Sequence, residues 1–165
     1  MTIDTLARPA TAANFAAGAP ARLLEFDHGR FVALPVHTTI ELIERPAIVG
    51  VPGAPYYMPG TLRWQAQQIV LLDLCALLNA HPKAGAAPAR HALVVAYQTA
   101  AGQPIRYAAI ATASLPQTLQ ISDASQCALP QDSDLWPLIA LSCFEHEGRR
   151  VPIIDTGRLF ATRWD

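Results

Sequence analysis

The sequence predicts an all-β protein, built as barrels or a sandwich with one or two short helices. Two observations predict it. Short apolar runs recur along the chain at roughly 8–12-residue intervals, the rhythm of a many-stranded β domain. The gaps between them are punctuated by glycine and proline, of which the chain has 9 and 14. Both residue types end strands by setting turns.

In chain order, residues 1–21 hold Ala, Thr, Pro and Gly without a period and read as a flexible N-terminal tail. Residues 22–165 read as the folded domain. Arg22–Phe26 and Phe31–Pro35 are strands joined by the turn Asp27-His28-Gly29-Arg30, a hairpin signal. His37–Ile43 is rich in β-branched residues with partial alternation, so a third strand is expected there. Pro46, Pro52, Pro55 and Pro59 bar a helix from the next stretch, which holds the short run Ile48–Val51. Thr61–Trp64 and Gln68–Leu72 are strands around the turn Gln65-Ala66-Gln67. Leu74–Asn79 is a short helix capped by Asp73, and His81–Arg90 is a loop.

The second half repeats the rhythm. Ala92–Thr99, Ile105–Thr112 and Leu115–Ile121 read as strands, and Cys127–Asp134 as a loop. Leu138–His146 and Val151–Ile154 form a hairpin around Glu147-Gly148, and Asp155–Phe160 a short closing helix. Gln68–Leu74 and Arg150–Thr156 share one pattern: a polar start, four apolar residues, an aspartate, then a helix start. The echo fits two related barrels, and it fits equally the common use of aspartate as a cap.

A chain of 165 residues suits one domain, or two small subdomains sharing a core. At 52% hydrophobic and 15% charged, it lies far from the composition of disordered chains and leaves apolar surface for a partner. Twelve basic residues against 13 acidic ones, with no basic run, exclude a nucleic-acid partner and electrostatic attachment to a membrane. Ile69–Leu78, broken by Asp73, and Leu135–Phe144 are too short for direct membrane insertion. The Ala-rich start lacks the pattern of a secretory signal. Cys75, Cys127 and Cys143 are odd in number and far apart, which argues against a secreted disulfide framework and for a cytoplasmic protein.

No G-x-S-x-G, H-E-x-x-H, P-loop or C-x-x-C is present, so no catalytic, metal or cofactor site is expected. Cys143 and His146 are three apart, but a zinc site needs four ligands, and strand positions three apart face opposite ways. His28, His37, His81 and His91 sit beside turns or strand starts and read as surface residues. Asp73 and Asp155 read as helix caps. The third strand places Thr39, Glu41 and Ile43 on one face, where a carboxylate among apolar neighbours can orient a partner's basic group. Leu62, Trp64 and Tyr56-Tyr57-Met58 concentrate large apolar side chains. They suit an interface anchor or packing between barrels. Exposure is expected for Tyr56–Met58, and core packing for Trp64. Arg63 and Gln65 flank Trp64, point away from it and are candidates for partner contact.

The order of these features resembles the CheW family of chemotaxis adaptors. LLEFDHGRFVALPVHTTIELIERP (Leu23–Pro46) is similar to that family's strand, Gly turn, "A-L-P" strand and following acidic apolar segment. IVGVPGAPYYMPGTLRW (Ile48–Trp64) and QQIVLLDLCALL (Gln67–Leu78) resemble its next two stretches. The second half matches more loosely, and the resemblance spans Leu23–Phe160. It implies two intertwined five-stranded SH3-like β-barrels around a central apolar core, with no chemistry and no cofactor. It implies two partners: the regulatory domain of a CheA-type histidine kinase on one barrel, and the cytoplasmic tip of a chemoreceptor in the groove between barrels. Thr39, Glu41, Ile43, Leu62, Arg63 and Gln65 are then the expected partner-binding residues.

The chain departs from the family pattern at one turn. Arg63-Trp64-Gln65-Ala66 stand where the family has Asn, then Leu or Tyr, then Arg-Gly. Val70 and Thr112 replace a usual Pro and Asp. These departures resemble CheW-like proteins of type IV pilus (twitching) systems, and Gln65 lacks the charged fork of Arg. Two alternatives follow. One is a small β-barrel enzyme or ligand-binding protein using Glu41, Asp73 or His146 in a pocket between barrels. The other is a CheW-like array filler that has lost receptor contact.

Overall fold

A computed structural model describes residues 18–80 and 90–162. Most of the expected tail, and the loop expected over His81–Arg90 apart from Arg90, lie outside the described residues. Ten strands form two sheets. β1 (Ala19–Asp27), β2 (Arg30–Pro35), β8 (Gln117–Ile121), β9 (Ala140–His146) and β10 (Arg149–Ile154) make the first, in the order β8-β1-β2-β10-β9. β3 (Thr39–Glu44), β4 (Gly60–Trp64), β5 (Gln67–Leu72), β6 (His91–Tyr97) and β7 (Arg106–Thr112) make the second, in the order β3-β6-β7-β5-β4. Among the described residues, three short α-helices accompany the sheets: α1 (Leu74–Asn79), α2 (Trp136–Ile139) and α3 (Thr156–Ala161). The all-β expectation holds, as two curled five-stranded half-barrels.

Several element boundaries differ from expectation, and three of them have a plain physical reason. β1 starts at Ala19, three residues before Arg22, because Ala19–Leu23 pair with β8 over a long sequence separation. His37 and Thr38 belong to a 3₁₀ turn, Val36–Thr38, rather than to the third strand. The hydroxyls of Thr38 and Thr39 donate back to the carbonyls of Pro35 and Val36 at 2.8 and 2.7 Å, closing that turn. Leu138 and Ile139 are helical, so the strand expected from Leu138 begins at Ala140. Pro137 sits in the first turn of α2, where its missing N–H costs nothing.

The two halves are related strand for strand. Each sheet has one parallel pair at its centre, β2 with β10 and β5 with β7, and antiparallel pairs elsewhere. One strand of each parallel pair, β5 in one and β10 in the other, exits through an aspartate into a helix. Asp73 accepts from the N–H of Ala76 at 3.1 Å, and Asp155 from those of Gly157 and Arg158 at 2.9 and 3.3 Å. The aspartate N–H is used identically too: Asp73 donates to the Tyr57 carbonyl and Asp155 to that of Ile139, both at 2.8 Å. The sequence echo is therefore structural, and aspartate capping is part of what repeats.

Each sheet curls until its edges meet at a single bridge. Val49, after β3, bridges Thr61 on β4; Gln126, after β8, bridges Phe144 on β9. Apolar side chains fill three cores. Leu62, Trp64, Ile69, Leu71, Ala92, Val94 and Ala109 fill the second half-barrel, and Ala21, Leu23, Ala33, Phe144 and Val151 fill the first. The largest core lies between them and draws on both sheets, including Leu24 and Val32 from the first and Leu72 and Ile110 from the second. Leu74–Leu78 of α1, Trp136 and Leu159 seal it. Along the inner strands β1, β2, β5, β6, β7 and β10, alternation sends one face to its own half-barrel and the other to the shared core.

Candidate docking surfaces

The seam of the second sheet is where the expected partner residues gather. Val49 and Thr61 exchange both backbone bonds there, at 2.8 and 2.9 Å. Gly60 allows this approach, since a Cβ at that position would collide with the Val49 carbonyl. Towards the other end, the indole Nε1 of Trp64 donates to Glu41 Oε2 at 2.6 Å, tying the two edge strands by side chains. Trp64 is buried and tilts against Tyr107, so core packing is its role.

Thr39, Glu41 and Ile43 do not share one face, contrary to expectation. Thr39 pairs with Val95 and Glu41 with Val94, so Ile40 is an extra, bulged residue. The bulge sends Thr39 and Glu41 to opposite faces. Glu41 and Ile43 stay together on the half-barrel side, opposite Val94 and Ala92. Ile40 is 46% exposed as a consequence. Leu62 is only 1% exposed and belongs to the half-barrel core, so it has no surface to offer a partner. Arg63 and Gln65 are exposed beside Trp64. Of the trio Tyr56–Met58, only Tyr56 is exposed; Tyr57 is buried, and Met58 packs on the shared core.

A groove runs between the halves. Arg22 of β1 and Pro116 line one wall, and Thr39–Leu42 of β3 with Leu93 line the other. Arg22 donates through Nη1 to the Thr118 hydroxyl at 2.8 Å, while its Nε is buried without an acceptor. Ile40 and Glu41 stand opposite this cation. Sequence reasoning missed Arg22 and Ile40 because neither burial nor a bulge is visible before the pairing of β3 is known.

Exposed apolar side chains also occur at matched places on the two halves. Tyr56 precedes the residue whose carbonyl receives the Asp73 N–H, and Leu138 precedes the residue that receives that of Asp155. They are 43% and 55% exposed. Val49 and Val51 are exposed in the same connection as Tyr56, and Leu141 follows Leu138. The aromatic trio signalled the first patch. Nothing in the apolar run Leu135–Phe144 distinguished its exposed members from its buried ones.

The polar groups named for an enzyme do not converge. Glu41 is bonded to Trp64, Asp73 caps α1, and His146 lies in a separate depression with Glu25 and Ser114. A cavity of about 700 Å³ is an open groove beside α3 lined by His37, Tyr97 and Arg158 among others. Its carboxylate, Asp155, is committed to capping α3 and to Arg158 at 3.5 Å. Among the described residues, no three His, Cys, Asp or Glu side chains gather to hold a metal ion, and no helix is long and apolar enough to cross a membrane.

Comparison with known proteins is consistent with this geometry. The family model described as the CheW-like domain matches residues 24–163. No curated protein matches the chain. Among solved structures, the crystal structure of the scaffolding protein TtCheW from Thermoanaerobacter tengcongensis superposes with a TM-score of 0.70 at 14% identity. The match covers 88% of this chain and 94% of that one, so most of each chain shares the fold. With its paired half-barrels, the chain belongs to the CheW-like domain family and is a CheW-like adaptor.

Proposed function

We propose that this adaptor works in the cytoplasm, coupling the tip of a chemoreceptor to the regulatory domain of a CheA-type histidine kinase. The observation that carries this is the distribution of apolar surface. The cores are filled, yet Ile40 stands exposed in the groove between halves, and Tyr56 and Leu138 stand exposed at matched sites outside it. A two-partner adaptor needs separate surfaces of this kind, each with a few apolar anchors inside a polar rim. The groove, with Thr39, Ile40, Glu41 and Arg22, suits a helical receptor tip. The Tyr56 and Leu138 patches suit the kinase domain. Arg63 and Gln65, exposed beside Trp64, serve as further polar contacts, and Ile43 lies with Glu41 on the half-barrel side of β3.

Calorimetric titration of the full chain with each partner fragment tests this. Ile40→Asp is expected to weaken receptor-fragment binding tenfold or more while sparing the kinase domain. Tyr56→Asp or Leu138→Asp is expected to do the reverse. If the unmodified chain binds neither fragment, the assignment of partners is wrong. Gln65→Arg separates a working adaptor from an array filler: a severalfold gain in receptor affinity is expected if this position limits binding, and no gain removes that idea.

A further inference from the structure

The seam of the first sheet holds a feature that partner docking does not use. Beside the Gln126–Phe144 bridge, the N–H of Cys127 donates to the carbonyl of Cys143 at 2.9 Å. The side chains of this cross-strand pair face each other, with Sγ atoms 3.4 Å apart. A disulfide needs about 2.05 Å, so about 1.4 Å of further approach suffices, within reach of side-chain rotation.

The two thiols are not equivalent. Cys143 is buried on β9 and stays protonated. Burial first, and the Cys127 thiol second, push it up to about 12, with Arg150 pulling the other way. Alone it is inert. Cys127 is partly exposed and open to a reagent from solvent. The third thiol, Cys75, is buried in α1 against the shared core.

We propose that Cys127 and Cys143 are a peroxide-responsive dithiol, whose reversible disulfide staples the first sheet's seam. A hydroperoxide is the oxidant. The Cys127 sulfur attacks the outer peroxide oxygen, an S–O bond forms, the O–O bond breaks, and the alcohol or water leaves with the thiol proton. The Cys143 sulfur then attacks the Cys127 sulfenic sulfur. The S–S bond forms and the S–O bond breaks, and hydroxide leaves as water with the Cys143 proton. Two thiols are oxidised by two electrons and one peroxide bond is reduced. The fixed backbone supplies proximity that the unreactive Cys143 lacks by chemistry. A small-molecule dithiol reverses the reaction by exchange. The staple closes the segment from Cys127 to Cys143, which carries α2 and the exposed Leu138 and Leu141.

The test treats the full chain with hydrogen peroxide at neutral pH, then counts thiols in denaturant and maps peptides by mass. Two of the three thiols are expected to disappear, with Cys127 and Cys143 joined in one chain, Cys75 free, and all three restored by dithiothreitol. The thermal midpoint of the oxidised chain is expected to rise by roughly 5–10 °C. Cys127→Ser is expected to leave Cys143 unreacted and the midpoint unmoved by peroxide. Cys143 remaining free while Cys127 over-oxidises, or links between chains, would overturn the proposal, as would a link that leaves the midpoint unchanged. The mass map of the unmodified chain decides the linkage even if the variant does not fold.

Discussion

At the β4–β5 turn, Gln65 and Ala66 both take left-handed backbone angles, with φ of 46° and 63°. Trp64 pairs directly with Gln67, so the loop has two residues, the tight hairpin form that normally recruits glycine. Ala66 bears a Cβ penalty there that glycine would not. Ala66→Gly is expected to raise unfolding free energy by about 0.5–1 kcal/mol, read from the urea midpoint. The turn itself was legible from its polar residues. Its length was not, because pairing of Gln67 decides it. Cys143 gives a second residue-scale expectation. Its thiol is raised from 9.0 to about 12, so the folded chain holds a proton that the unfolded chain releases near pH 9. Stability from this group is complete below pH 9 and declines between 9 and 12, by at most about 1.4 kcal/mol per pH unit. Cys143→Ala should lessen the decline in urea midpoints between pH 8 and 10.5; an unchanged decline would assign it to other groups.

At the scale of elements, strand ends and seams carry the risk. α1 and α3 are six residues each, too short to persist alone, and depend on their caps and on packing. Asp73→Ala and Asp155→Ala should each cost about 0.5–2 kcal/mol, measured by chemical denaturation. Asp155 accepts two N–H groups where Asp73 accepts one, so its loss should be the larger. Gly60 matters for a different reason. A side chain there meets the Val49 carbonyl, so Gly60→Ala must push the β3–β4 seam apart. A loss of about 1–3 kcal/mol is expected, with faster amide exchange at Val49 and Thr61. Retained exchange protection at both residues would show that the seam adapts elsewhere.

For the whole molecule, the shared core governs cooperativity. Leu24, Val32 and Ile154 of the first sheet pack with Leu72, Leu93 and Ile110 of the second. Neither half can keep its apolar inner face dry without the other, so both should unfold in one transition. Far-ultraviolet circular dichroism and tryptophan fluorescence should give coincident urea curves. Separate midpoints would mean that one half-barrel stands alone. With the inner faces closed, the exposed apolar side chains lie on edges, connections and the groove between halves.

Much of this was readable along the chain. Proline and glycine spacing, β-branched runs and two Asp-terminated strands specify short strands, turns and capped helices through local sterics and hydrogen bonding. The missing catalytic motifs and the ordered resemblance to CheW proteins were legible in the same way. Which face each residue presents was not. The Ile40 bulge, the burial of Leu62 and Tyr57, the half-buried Arg22 and the meeting of Cys127 with Cys143 all depend on contacts between segments far apart in sequence. A one-residue shift in pairing reverses every side chain of a strand, and no local pattern records where that shift falls.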